Sequence, residues 1–359
     1  MRARWFVAVM TVAVTLVSGC GGGSTGDKKG GGDAPTIALF LPESKTTRYE
    51  AFDRPLFEAK VKALCADCKL LYANADQDAA KQQQQVEAAL AQGADVLVLD
   101  AVDASAVASL VNQAKQKKVP VIAYDRLISE ITYEYYVSFN NVRVGEMQGQ
   151  ALLDALTKAG TADKGKIVML NGAPTDPSSA DYKTGAHKVL DGKVQIGREF
   201  DTPDWSPDKA QQEMEQAITA LGRDSIVGVL SANDGMAGGA IAAMKRAGYP
   251  ALPPITGQDA ELAAVQRILT GEQYMTIYLD IRQEAEKAAE LAVALGKGEK
   301  PAAPTKVANG TGDIPAFLLD PIAVTADRIK DTIVKDGFYK TSDICTGPVV
   351  AACAKAGIQ

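Results

Sequence analysis

The 359 residues are enough for two domains with buried cores, and an apolar fraction of 47% fits that reading. A net charge of −6 argues against nucleic acid as a partner. A single histidine, His187, all but excludes His-rich metal sites and triads that need more than one imidazole.

The chain opens on Arg2 and Arg4, followed by an apolar run over residues 5–17 that is too short to span a membrane comfortably. It reads as the apolar core of a signal peptide covering residues 1–19. The tetrapeptide Val17-Ser18-Gly19-Cys20 resembles a bacterial lipobox, in which Cys20 becomes the lipidated first residue. The alternative is ordinary secretory cleavage beside a stray cysteine. Residues 20–34, including GGGSTGDKKGGGD, read as a flexible tether.

From residue 36 onward strand-like runs alternate with helix-like runs, the pattern of a βαβ series. The expected strands are 36–41, 69–73, 95–99, 120–124, 135–139, 166–170, 194–200, 226–230, 254–257 and 274–278. The clearest helices are 79–91 and 284–295, both rich in good helix formers. Polar residues follow nearly every strand, among them Asn74, Asp100, Asn140, Asn171, Asp201 and the pairs Asn233-Asp234 and Gln258-Asp259. About half are expected to be helix caps. The remainder would form a polar rim at the carboxyl ends of a parallel sheet, where ligands bind. The stretch PVIAYDR, residues 120–126, is the sharpest case: a short apolar strand delivers Asp125 and Arg126 to that rim. A carboxylate accepts hydrogen bonds and a guanidinium donates them, so the pair suits a neutral, hydroxyl-rich ligand. The competing reading is a local ion pair that pins a loop.

No phosphate loop, nucleophile elbow or zinc-binding helix motif is present, and ANDGMAGGA at 232–240 matches a dinucleotide fingerprint only loosely. The segment Cys65-Ala66-Asp67-Cys68 lies between a helix end and a strand, not at a helix start where a redox pair gains its low pKa. It reads as a structural disulfide in an oxidising compartment, with Cys345 and Cys353 as the second. Four cysteines allow three connectivities. The local one, 65 with 68 and 345 with 353, is preferred over a four-cysteine zinc site.

Eight segments in order carry a family resemblance: PESKTTRYE (42–50), QGADVLVLD (92–100), YDRLI (124–128), VSFNN (137–141), GEMQGQ (145–150), NGAPTD (171–176), SANDGMAGG (231–239) and TGQDAE (256–261). With them the chain resembles the periplasmic monosaccharide-binding proteins of ABC transporters. These have the type I fold of ribose-binding protein, and the resemblance is strongest to D-xylose-binding proteins. It implies an α/β fold of two Rossmann-like, flavodoxin-order lobes joined by three hinge crossings, near residues 139–141, 279–281 and 318–321. The first lobe would be 35–139 plus 281–317, and the second 140–280 plus 318–359. Sugar would lie between the lobes and be enclosed by hinge bending.

Residue by residue, the resemblance implies Arg48, Asp125 and Arg126 as ligands from the first lobe. Asp176, Lys183, Trp205, Asn233 and Asp259 would come from the second. Trp205 would cover the C–H face of a pyranose. Tyr49 is either its counterpart on the other face or a core residue. Asn233 and Asp176 are alternatively helix caps, and Trp205 alternatively a packing residue. Two departures from the family pattern stand out. Leu279-Asp280 replaces an expected lysine, and Pro177-Ser178 follows the acid at 176. The implied protein is a lipid-anchored, monomeric, extracytoplasmic receptor that passes a monosaccharide, D-xylose, to an ABC permease. No cofactor, metal or enzymatic activity is expected. The alternatives are a sensory sugar-binding protein that signals through a membrane receptor, another pentose or hexose as ligand, and a glycosidase using Asp125 and Asp259.

Overall fold

A computed structural model describes residues 34–358. The expected signal peptide, residues 20–33 of the expected tether, and Cys20 with its expected lipidation lie outside the described residues.

The chain begins β1 (Thr36–Leu41), α1 (Arg54–Leu64), β2 (Lys69–Asn74), α2 (Ala79–Ala91), β3 (Val96–Leu99), α3 (Ala108–Gln116), β4 (Val121–Tyr124) and β5 (Tyr135–Phe139). It continues through α4 (Asn141–Ala159), β6 (Lys166–Asn171), α5 (Pro177–Leu190), β7 (Gln195–Asp201), α6 (Pro207–Leu221), β8 (Ile226–Ser231) and α7 (Asp234–Arg246). Then come α8 (Leu262–Thr270), β9 (Met275–Tyr278), α9 (Ile281–Gly296), β10 (Thr305–Ala308), β11 (Asp313–Leu319) and β12 (Ile322–Thr325). Short helices α10 (Thr341–Ile344) and α11 (Val350–Lys355) close the described chain.

Two sheet systems result. The first has the order β10-β11-β5-β4-β3-β1-β2, parallel except for β10. Its inner strands β1, β3, β4 and β5 are buried on both sides because both faces are covered. Ile37, Leu39, Val96, Val98 and Ile122 pack under α1 and α9, while Ala38, Phe40, Leu97, Leu99 and Ala123 pack under α2 and α3. The second system is β7-β6-β8, extended by parallel bridges through Ile255 and Gln258 to β9, which pairs antiparallel with β12. Its faces are filled by α4 with α5 and by α6 with α7. Both halves therefore follow the doubly wound order in which the second strand lies outside the first.

The chain passes between the two systems three times: from β5 into α4, from β9 into α9, and from β11 into β12. At the second passage Leu279 is fully buried and the Asp280 side chain caps α9 by accepting from Gln283 N. The acid that replaces the expected lysine thus serves a helix terminus.

Three details depart from the sequence expectation. The run at 254–257 forms a single bridge at Ile255, since Pro253 and Pro254 supply no backbone donors. Strands β10 and β11 escape the sequence pattern, because β10 is mostly exposed and Pro315 interrupts β11. Strand β12 is four residues long and half-buried, too short to read as a strand from pattern alone. The four described cysteines are bonded as Cys65–Cys68 and Cys345–Cys353. No described helix is long and apolar enough to cross a membrane.

Candidate functional site

The carboxyl ends of the two parallel sheets face each other across one small polar cavity. Thr46, Arg48, Tyr49, Asp125 and Arg126 line it from the first half, and Asp176, Tyr182, Trp205, Asn233, Gln258 and Asp259 from the second.

Asp125 and Asp259 hold equivalent places. Each follows the fourth parallel segment of its sheet, and each donates its backbone N–H to the next strand, Asp125 to Val137 O and Asp259 to Ile277 O, both at 2.9 Å. Each has a left-handed backbone, with φ of 59° and 89°. That conformation is costly for a residue with a Cβ and turns the chain sharply at the strand end. Around Asp125 it is secured by Ser138 Oγ and Tyr136 OH, which donate to the Asp125 carbonyl at 2.7 and 3.1 Å.

The carboxylate of Asp125 is fixed as well. Tyr49 OH donates to one oxygen at 2.9 Å and Arg48 Nη1 to the other at 3.3 Å. Arg126 Nη2 donates to Tyr49 OH at 3.4 Å, so one chain of hydrogen bonds joins Arg126, Tyr49 and Asp125. The Arg126 guanidinium is almost wholly buried. Its Nη1 donates to Ala101 O at 3.0 Å, and its Nε lies 3.0 Å from Asp176 and 3.4 Å from Asp100. The Asp176 contact bridges the two halves. Burial works against both guanidinium charges, but the surrounding carboxylates more than offset it and hold both pKa values well above the usual range.

On the opposite wall Asp176 serves two purposes. One oxygen accepts from Ser178 N at 2.9 Å, which caps α5, and the other accepts from Trp205 Nε1 at 3.2 Å. Trp205 stands edge-to-face with Tyr182 at 6.2 Å between centroids. Its six-membered ring lies against Gly172, where a Cβ would fall 2.0 Å from Trp205 Cη2, so only glycine leaves room for the indole. Asn233 caps α7 by accepting from Met236 N at 2.9 Å, and it also lines the cavity. Capping and cavity-lining, read from sequence as alternatives, coexist at Asp176 and Asn233.

Among the described residues Asp259 has no cation within ion-pair reach, and Gln258 Nε2 approaches it at 3.4 Å. Burial pushes its carboxyl up to about 7. Burial likewise pushes Asp100 well above the usual carboxylate range, with Arg126 opposing.

Seven of the eight sequence-derived ligand residues meet at this cavity: Arg48, Asp125, Arg126, Asp176, Trp205, Asn233 and Asp259. Lys183 does not. Its ammonium is a third exposed and sits 3.2 Å from Glu199 and 3.1 Å from Asp201, beside β7. Neighbouring helical residues point about 100° apart, so on α5 it is Tyr182 that faces the cavity. Sequence reasoning misses Thr46, Tyr182 and Gln258. Tyr182 adjoins Lys183, the residue expected in its place, and Gln258 stands beside Asp259 at the same strand end.

The fold and this interlobe site define a two-lobed solute-binding architecture. A family profile described as a periplasmic binding protein domain matches residues 37–300, and the chain belongs to that family. It is 36% identical over 313 residues to the D-xylose-binding periplasmic protein of Escherichia coli (strain K12), covering 86% of this chain and 92% of that one. It is 32% identical to the multiple sugar-binding periplasmic protein SbpA of Azospirillum brasilense, over 86% of this chain and 90% of that one. Among solved structures it resembles an ABC transporter solute-binding protein from Clostridium phytofermentans with bound β-D-glucose. The TM-score there is 0.79 and the identity 27%, over 86% of this chain and 99% of that one.

Proposed function

We propose that this chain is a lipid-anchored, extracytoplasmic receptor that encloses one molecule of D-xylose between its lobes and delivers it to an ABC permease. The observation that carries this reading is the composition of the cavity. Acceptors from Asp125 and Asp259, donors from Arg48 and Arg126, and the Trp205 indole come together around one small space between the lobes. Donors, acceptors and an aromatic face gathered in one place are what a single pyranose requires. The sugar hydroxyls would pair with the carboxylates and amides, and its C–H face would lie on Trp205.

The family and the named relatives support sugar transport, and these are binding proteins, not enzymes. D-xylose is favoured by the relative of higher identity, while a solved relative holds glucose, so a hexose is the alternative. Anchoring is inferred from Val17-Ser18-Gly19-Cys20 alone.

Calorimetry of residues 35–359 with D-xylose, D-ribose, L-arabinose, D-glucose and D-galactose should give one-to-one binding, tightest for D-xylose. Absence of binding to every sugar defeats the reading, and a tighter hexose corrects the ligand. In the full chain, Cys20→Ala should abolish fatty-acid labelling. A wild type that takes up no label would remove the anchor from the proposal.

A further inference from the structure

The first-half arginine is held by a residue far away in sequence. Arg48 is 4% exposed, and a guanidinium has five N–H donors. Nε donates to Asp53 Oδ2 at 3.0 Å and Nη2 to Asp53 Oδ1 at 2.8 Å, a two-point clamp five positions along the chain. The second Nη2 hydrogen goes to Glu284 Oε2 at 2.5 Å, and one Nη1 hydrogen goes to Asp125. A single Nη1–H is left for the cavity that Arg48 lines.

Glu284 is fully buried in the first turn of α9, 236 positions along the chain from Arg48. Among the described residues no cation other than Arg48 lies within ion-pair reach of it, and its Oε1 has no hydrogen-bond partner. A carboxyl buried this deeply is costly unless it is bonded. Together with the Asp53 clamp, the Glu284 contact resists rotation of the guanidinium about its Nε–Cζ bond and keeps it from swinging toward Asp53 alone.

Resting on the sugar-binding reading above, we infer that Glu284 is a positioning residue for ligand recognition. It locks the Arg48 guanidinium so that its one uncommitted N–H, and the Asp125 carboxylate that Arg48 holds, stand in place before the sugar arrives. Fixing donors in advance removes an ordering cost from binding. The bond also ties Arg48 to the helix that the chain enters directly after its second passage between the halves.

The test combines calorimetry with the Arg side-chain resonances of the ¹⁵N-labelled, ligand-free protein. In the wild type, the Nη–H signals of Arg48 should be resolved, because the guanidinium cannot rotate. Glu284→Ala should average those signals and weaken D-xylose or D-glucose binding roughly tenfold. Glu284→Gln keeps an acceptor oxygen at the same reach, so it should restore both the signals and most of the affinity. If Glu284→Ala binds as the wild type does, the assignment falls. It also falls if affinity drops while the Arg48 signals stay resolved, since that marks a general packing defect. Should Glu284→Ala fail to fold, Glu284→Gln decides: averaged Arg48 signals in that variant overturn the role. A wild type that binds neither sugar refutes the functional reading instead, and the Arg48 signals then judge the positioning role alone.

Discussion

Asp259 is an acid of the cavity that burial holds protonated against the pull of Arg48, and its pH dependence follows from that. Unfolded, an aspartate titrates near 4, whereas the folded carboxyl holds its proton up to about 7. Between those values the folded state binds more protons than the unfolded state. Stability from this group therefore falls as pH rises from about 4 to about 7, by at most about 1.4 kcal/mol per pH unit, and is flat above. Thermal unfolding of wild type and Asp259→Asn, followed from pH 4 to pH 8, should show the variant gaining on the wild type across that window. A constant difference in melting temperature would mean that Asp259 is ionised throughout. Asp125 and Arg126 are legible in sequence because an apolar strand runs straight into them. Glu284 is not, because a buried glutamate inside an alternating helical pattern looks like any solvated one.

Among the elements, the strands with both faces covered are the most legible, since β1, β3 and β4 are continuous apolar runs with no competing signal. Helix α2 is legible for the opposite reason: its glutamines lie mainly on an exposed face, although Gln82 turns inward to bond Asp100 O and Val102 N. The last three strands are obscured by proline and by exposure, so their place depends on partners distant in sequence. The short helices after β12 gain stability from a covalent closure. The Cys345–Cys353 loop, eight positions wide, pins α11 next to α10, and Gln266 of α8 donates to the carbonyl of Ile344 at 3.0 Å. Replacing both cysteines with serine should cost roughly 2–3 kcal/mol, with the tighter Cys65–Cys68 loop costing roughly 1.5 kcal/mol. Denaturant unfolding of the two double variants measures this. Sugar affinity should survive in both, because neither loop reaches the cavity.

At the scale of the molecule, closure of the two halves is written into contacts that cross the cleft. Arg126 meets Asp176, and Ala104 N donates to Thr175 O at 3.3 Å. Trp205 sits at the same junction and is the only tryptophan beyond position 5. Its emission should therefore shift on addition of the bound sugar and saturate at one equivalent. Trp205→Leu should lose roughly 1–3 kcal/mol of binding free energy. Unchanged emission together with an undiminished Leu variant would make the residue a packing element and move the stacking role to Tyr49 or Tyr182.

The three passages between sheets also set an order of events during synthesis. The first sheet takes β11 as a parallel neighbour of β5, and its core is sealed by α9, so residues up to Leu319 must emerge before that half is complete. The second half waits for β12, which begins at Ile322. Neither half can finish while the chain is much shorter than its full length, although each begins from its early strands. A nascent chain thus stays incompletely folded until nearly all of it has been made.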